Sequence, residues 1–102
     1  MFDRTDVANA FKSYTVVNVL YCSGDIHGGD VTRDYDDTNG EPVTQTGLAN
    51  AQAALDWVAN QQHNGNLTAE LSALVVMGCS AGSIGAQLWG RQVSYAPCIA
   101  HL

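Results

Sequence analysis

An apolar run of five residues, 73–77, passes directly into Gly78-Cys79-Ser80-Ala81-Gly82, and a segment of small and apolar residues, 83–89, follows it. The run has the length and character of a central parallel strand, and we predict that residues 83–89 form a helix. A serine between a strand and a helix must occupy a tight, strained turn, and its flanking positions must be small so that the two elements can approach. The sequence therefore predicts a turn that raises the Ser80 hydroxyl above the end of the strand.

Earlier segments extend this pattern towards the N-terminus. Residues 15–21 are β-branched and aromatic, which predicts a second buried strand. Residues 48–62 repeat apolar side chains at helical spacing and stop at a cluster of Asn and Gly, which predicts a helix. Residues 28–42 are rich in Gly, Asp, Asn and Thr and are predicted to form an exposed loop. The order strand, helix, strand, helix indicates an α/β fold with a parallel sheet, and residues 1–102 form a single domain.

The start of the helix predicted after Ser80 can stabilise negative charge. Its first backbone N–H groups have no intrahelical partner and lie at the positive end of the helix dipole. The Ala81 N–H would therefore donate to the oxyanion that forms when Ser80 attacks a carbonyl. A glycine-rich phosphate-binding turn is the alternative, but the sequence has neither Gly-x-Gly-x-x-Gly nor a Walker lysine. The strand and the helix on either side favour the nucleophile elbow.

A nucleophilic serine needs a base, and the base needs an acid that orients it. In folds built on such an elbow, these residues follow the serine in the order Asp or Glu, then His. After Ser80 the sequence has no Asp or Glu, and its only histidine is His101. We therefore expect the acid and the base to lie outside these residues, in a longer enzyme of which this chain is a section.

Composition argues against several other classes of function. The net charge is −6 and the four basic residues are scattered singly, so the chain has no basic patch for nucleic acids or anionic membrane surfaces. No apolar run approaches the length that spans a bilayer, and the first residues lack the apolar segment of a signal peptide. The tripeptide Asn66-Leu67-Thr68 matches a glycosylation sequon, which favours a secreted parent protein.

The cysteines and the first histidine raise the question of a metal site. Cys22, Cys79 and Cys98 form no Cys-x-x-Cys pair and do not match the spacing of zinc ligands. We expect Cys79 to be a small buried side chain beside the elbow, and the sequence leaves any disulfide among the three open. His27 has two aspartates nearby but no second histidine at ligand spacing, which favours an exposed polar turn over a metal site.

With Ser80 placed, several blocks of sequence together resemble the pectin acetylesterase/Notum family of serine carboxylesterases. The two most specific blocks are Tyr21-Cys22-Ser23-Gly24-Asp25 and Gly78-Cys79-Ser80-Ala81-Gly82, at their spacing in this chain. Shorter matches are Phe2-Asp3-Arg4, Asn9-Ala10-Phe11 and Gly47-Leu48-Ala49-Asn50. The resemblance covers nearly the whole chain.

The resemblance implies a partial α/β-hydrolase-like parallel sheet with a nucleophile elbow, incomplete at both ends. It implies that Ser80 is the nucleophile, that the Ala81 N–H serves the oxyanion hole, and that residues 21–25 lie beside the pocket. The substrate would be an acylated carbohydrate or a similar ester, first of all an acetylated polysaccharide, hydrolysed outside the cell without a metal or organic cofactor. Relatives carry a histidine where Gln45 stands, and their glycine-rich oxyanion loop and their triad Asp and His lie outside this chain.

Two other interpretations stay open. The chain could be a catalytically inactive remnant that keeps the fold and binds a glycan or a protein partner. It could also be an unrelated small α/β binding module, which would fold stably alone. Flanking sequence with a Gly-Gly-Gly loop upstream and an Asp and a His downstream would favour the esterase, whereas stop codons on both sides would favour the remnant.

Overall fold

Two helices and a short antiparallel hairpin are the regular elements of residues 3–95, the part of the chain that this computed structural model describes. In chain order they are strand β1 (Val31–Asp36), strand β2 (Pro42–Gln45), helix α1 (Gly47–His63) and helix α2 (Ala81–Tyr95). Both predicted helices are confirmed, and α2 begins directly after the serine of the predicted turn. Within residues 3–95, neither helix is both long and apolar enough to cross a membrane.

Helix α1 ends in a Schellman motif at the cluster of Asn and Gly that predicts its stop. Gly65 has a left-handed φ of 76°, and its N–H donates to the Gln62 carbonyl at 3.1 Å. The Asn66 N–H donates to the Gln61 carbonyl at 2.9 Å. These two bonds satisfy carbonyl groups that the end of a helix would otherwise leave without a partner.

Replacing Gly65 with alanine should destabilise the protein by about 1–2 kcal/mol, because a Cβ atom disfavours the left-handed backbone that the motif requires. Thermal unfolding followed by circular dichroism measures this change. Gly90→Ala is the matched control, because a Cβ atom at this position inside α2 would meet nothing within 4 Å. Alanine at residue 90 should stabilise the helix by up to about 1 kcal/mol. Equal destabilisation by the two substitutions would contradict the role given to Gly65.

Apolar side chains from the two helices form one small core. Trp89 and Val93 of α2 are buried against Ala51 of α1. Three partly buried side chains pack against this group: Leu55, Val58 and Leu71. Ala51, Leu55 and Val58 belong to the apolar repeat that predicts α1. Trp57, on the same helix, is instead 53% exposed.

A hairpin occupies the segment that is predicted to be an exposed loop. β1 and β2 pair antiparallel, with an irregularity in their register. Between them the Asp37 carboxylate accepts the N–H groups of Glu41 and Asn39, and these bonds lower the pKa of the Asp37 carboxyl. The prediction is right about exposure, since every β1 side chain is exposed, but it is wrong about the strands. Exposure on both faces removes the alternation of apolar and polar residues that indicates a strand.

The two apolar runs that are predicted to be parallel strands lie in segments without strand pairing. Within residues 3–95, no backbone hydrogen bond joins residues 15–21 or 73–77 to another backbone group. Leu20 is 72% exposed and Met77 is 51% exposed, so the burial predicted for these runs is not found. A parallel strand forms only beside a neighbour, and the sequence of the run does not specify that neighbour. The parallel α/β-hydrolase-like sheet therefore stays a prediction.

The unpaired runs leave apolar side chains at the surface. Val17 and Leu20 of the first run are 43% and 72% exposed, and Val75 and Met77 of the second are 45% and 51% exposed. Residues 16–20 face α1 across an open groove, and Asn50, Ala54 and Trp57 line the helical side. This groove therefore exposes apolar surface of the first predicted strand.

Candidate active site around Ser80

Ser80 occupies a strained position between the apolar run and helix α2. Its φ is 54°, in the left-handed region that few non-glycine residues adopt. Such a conformation costs on the order of 1–3 kcal/mol and persists only where the surrounding structure holds it. The backbone at Ser80 therefore makes a tight turn of the kind that the sequence pattern requires.

Gly78 makes this turn possible because its backbone lies against the start of α2. A Cβ atom at residue 78 would overlap the carbonyl group of Gly82 and approach the Ser83 nitrogen to 2.8 Å. At Gly82, in contrast, a Cβ atom would meet nothing within 4 Å. The close approach of the apolar run to α2 therefore requires glycine at residue 78. At residue 82 only the backbone carbonyl takes part in this contact, so a side chain there is not excluded. This corrects the prediction that both flanking glycines provide room.

Among the described residues, one N–H group in the first turn of α2 has no acceptor. The Gly82 N–H donates to the Cys79 carbonyl and the Ser83 N–H to the Ser80 carbonyl, both at 2.9 Å. The Ser83 hydroxyl also donates to the Ser80 carbonyl, at 2.6 Å. Within residues 3–95, the Ala81 N–H and the Ser80 hydroxyl have no hydrogen-bond partner. An exposed hydroxyl and a free N–H on adjacent residues are the two groups that an elbow supplies for attack on a carbonyl.

Helix α2 is held by the turn that follows residue 21. The Trp89 Nε1–H donates to the His27 carbonyl at 2.8 Å. The His27 ring lies beside Gly85, where a Cβ atom would come within 2.8 Å of the ring carbon Cδ2. Glycine at residue 85 therefore lets the His27 ring approach the backbone of α2. This is the helix that begins directly after Ser80.

The turn itself has a strained backbone. Ile26 and His27 have φ values of 62° and 59°, and a β-branched residue in this region is an outlier. The Tyr21 hydroxyl accepts the Ile26 N–H at 3.0 Å, and the rings of Tyr21 and His27 pack at a centroid distance of 4.8 Å. His27 is consequently half-buried, which corrects the prediction of an exposed polar turn.

Asp25 ties the turn to helix α1. Its carboxylate accepts hydrogen bonds from the Ser23 hydroxyl at 2.5 Å, the Gly47 N–H at 2.6 Å and the His27 N–H at 3.2 Å. The bond from Ser23, with those from backbone N–H groups, lowers the pKa of the Asp25 carboxyl against an opposing effect of desolvation. Helix α1 has no acidic residue in its first turn and no side-chain cap at Thr46. A carboxylate from outside the helix therefore takes the role of its N-terminal acid.

Gln45 joins the same turn to the hairpin. Its Nε2 donates to the carbonyls of Ser23 and Gly24, both at 3.1 Å, and its Oε1 accepts from the Nε of Arg33 on β1. In this chain the glutamine links β2 to the turn through its side chain.

The described part of the chain brings no base to the serine. Within residues 3–95, no histidine or carboxylate hydrogen-bonds Ser80, and no group of three or more His, Cys, Asp or Glu could hold a metal ion. Cys22 and Cys79 are exposed free thiols in this part of the chain. The expectation that Cys79 is buried is therefore wrong, because the apolar run before it has no covering neighbour. Cys98 and His101 lie outside the described residues.

Sequence reasoning missed the contacts of Asp25. The bond with Gly47 joins residues 22 positions apart, which no local pattern reveals. The available signal was that two of the blocks behind the family resemblance contain Asp25 and Gly47, the two ends of this contact. Comparisons of the chain with family models, with curated proteins and with solved structures give no match.

Proposed function

We propose that this chain carries the nucleophile region of a serine carboxylesterase resembling the pectin acetylesterase/Notum family, in a partial α/β-hydrolase-like fold. The supporting observation is the conformation of Ser80, a left-handed residue directly before a helix. Its exposed hydroxyl lies next in sequence to the free N–H of Ala81. Strain of this kind clusters at sites where the conformation is part of the mechanism.

The reaction would pass through an acyl-enzyme. The Ser80 Oγ attacks the carbonyl carbon of the ester and gives its proton to a base, while the carbonyl oxygen becomes an oxyanion that accepts the Ala81 N–H. Collapse of this intermediate breaks the bond to the alcohol, which leaves with the proton from the base. Water then attacks the acyl group, releases the carboxylic acid and restores the serine hydroxyl. In this proposal, residues outside 3–95 supply the base and its orienting acid.

Acylated carbohydrates are the proposed substrate class, with an acetylated polysaccharide first, and the proposed location is extracellular. The sequon gives independent support, because Asn66 and Thr68 are both exposed in the segment after α1. Passage of the chain through a eukaryotic secretory pathway should add a glycan that N-glycosidase removes and that Asn66→Gln abolishes. An unmodified secreted chain would count against the extracellular location.

An inactive remnant that binds a glycan or a protein partner is the second candidate. One observation favours it, since no base of residues 3–95 hydrogen-bonds Ser80. The two candidates differ in whether Ser80 can react once a base is provided. Imidazole in solution provides that base without any change to the chain.

Hydrolysis of p-nitrophenyl acetate in the presence of imidazole tests the esterase proposal. The chain should accelerate hydrolysis beyond the imidazole background, and Ser80→Ala should remove this acceleration. Ser94→Ala is the matched control, because Ser94 lies on the same helix and its hydroxyl donates only to the Arg91 carbonyl among described groups. Equal rates for the native chain and Ser80→Ala would favour the remnant.

A further inference from the structure

We propose that Asp25 is a positioning residue for the nucleophile: through the turn that it holds, it sets the position of helix α2 and therefore of Ser80. The proposal rests on the function proposed for Ser80 and names the residue that places it. Asp25 acts through other residues and, in this proposal, touches neither substrate nor reacting atoms.

The Asp25 carboxylate fits closely into its turn. Besides its bonds to the Ser23 hydroxyl and to the N–H groups of His27 and Gly47, the carboxylate lies against two glycines. A Cβ atom at Gly29 or at Gly47 would overlap it. Glycines in two separate segments therefore leave space for this carboxylate. A surface acid with only local hydrogen bonds would not require them.

His27 connects the turn to helix α2. The His27 N–H donates to Asp25, and the carbonyl of the same residue accepts the indole N–H of Trp89. The His27 ring lies beside Gly85, and residues 85 and 89 share one face of α2 because they are four positions apart. Trp89 is only 8% exposed, so this contact belongs to the core that joins the helices.

Backbone strain is found both in the Asp25 turn and at Ser80. Within residues 3–95, the non-glycine residues with left-handed φ are Ile26, His27 and Ser80. Two of them form the turn that Asp25 holds, and the third is the nucleophile at the start of the helix that this turn contacts. Strained residues persist where their surroundings over-determine them, and the contacts from Asp25 to Trp89 connect the two strained sites.

A few titratable or charged groups lie near Asp25, and its own ionisation controls its hydrogen bonds. On the turn itself the neighbouring titratable groups are His27 and Tyr21, and on the hairpin Arg33 reaches the turn through Gln45. The first turn of α1 contributes no acid. The carboxylate form accepts the hydrogen bonds, so the contacts are complete above the ordinary range of a carboxyl group. They are lost as the pH falls through the lowered pKa of Asp25.

The test is an NMR titration of the whole chain from neutral to acid pH. The indole N–H of Trp89 and the backbone N–H of Ala81 should shift together, with the midpoint at which the Asp25 carboxyl titrates. The indole N–H of Trp57, a side chain 53% exposed on α1, is the internal control and should not follow this midpoint. Asp25→Asn should abolish the shared shift, and Ser23→Ala, which removes the strongest donor to the carboxylate, should raise the midpoint.

A purely structural carboxylate would give a different result. If protonation of Asp25 only weakened the fold, the Trp57 and Trp89 signals would change together as the protein unfolds, which would overturn the proposal. A shift at Trp89 without one at Ala81 would also overturn it, because the effect would then stop short of the nucleophile. The measurement needs no ester hydrolysis, so a failure of the proposed esterase activity is recorded separately.

Discussion

A fluorophosphonate probe should leave the chain unlabelled at Ser80 in plain buffer and should label it when imidazole is added. The hydroxyl has no base within residues 3–95, and an unassisted serine is a weak nucleophile at neutral pH. General-base assistance contributes typically 10²–10⁴-fold, so we expect imidazole to raise the labelling rate by about 10² or more. Intact mass spectrometry with peptide mapping measures both the extent and the position of the label.

Two variants decide what such labelling means. Ser80→Ala should remove the adduct completely, and Ala81→Pro should slow labelling by about 10²–10³, because proline removes the N–H that would stabilise the oxyanion. Proline is accepted at the first position of a helix, but it also disfavours the left-handed backbone of the residue before it, so slower labelling measures the joint loss of this N–H and of the Ser80 turn. Rapid stoichiometric labelling in plain buffer would instead show that a base is already present.

Gly78→Ala should be the most damaging substitution of a glycine in the elbow. Its Cβ atom would overlap the Gly82 carbonyl, so either the Ser80 turn must open or the start of α2 must move. Forced overpacking of this kind costs typically 1–3 kcal/mol. We expect a lower midpoint of thermal unfolding together with loss of the imidazole-dependent labelling of Ser80.

Gly82→Ala is the matched control for this substitution. Both glycines flank Ser80 at the same spacing, but a Cβ atom at Gly82 would meet nothing within 4 Å. The variant should therefore keep the labelling of the native chain, and its unfolding midpoint should be unchanged or higher because alanine favours the helix. If the two alanine variants behaved alike, the contact between residue 78 and the start of α2 would not be what holds the elbow.

The helices could be predicted from the sequence because their signals are local. Helix α1 follows an apolar repeat that ends at Gly65, and α2 follows a serine between small residues. The hairpin could not be predicted, because β1 exposes all of its side chains and shows no alternation. The runs 15–21 and 73–77 have strand composition, but a strand also needs a neighbouring strand to pair with. The sequence of a run does not specify that neighbouring strand.

Of the candidate site, the sequence predicted the tight turn at Ser80 and the place of the Ala81 N–H at a helix start. It assigned Gly82 a steric role that belongs to Gly78 alone. It also predicted an exposed turn around His27, because the tryptophan that contacts this residue follows 62 positions later. Contacts between residues so far apart in sequence produce no local repeat of apolar and polar residues.

Separation along the sequence also affects the order in which contacts form during folding. The bond between Asp25 and Gly47 closes a loop of 22 residues, whereas the bond between His27 and Trp89 closes one of 62. Loop-closure entropy makes the longer contact harder to form by about 1 kcal/mol. Helix α1 and its carboxylate can therefore be in place before α2 docks, so we expect the position of the nucleophile helix relative to the Asp25 turn to be set late in folding. On unfolding we expect this position to be correspondingly among the first features to be lost.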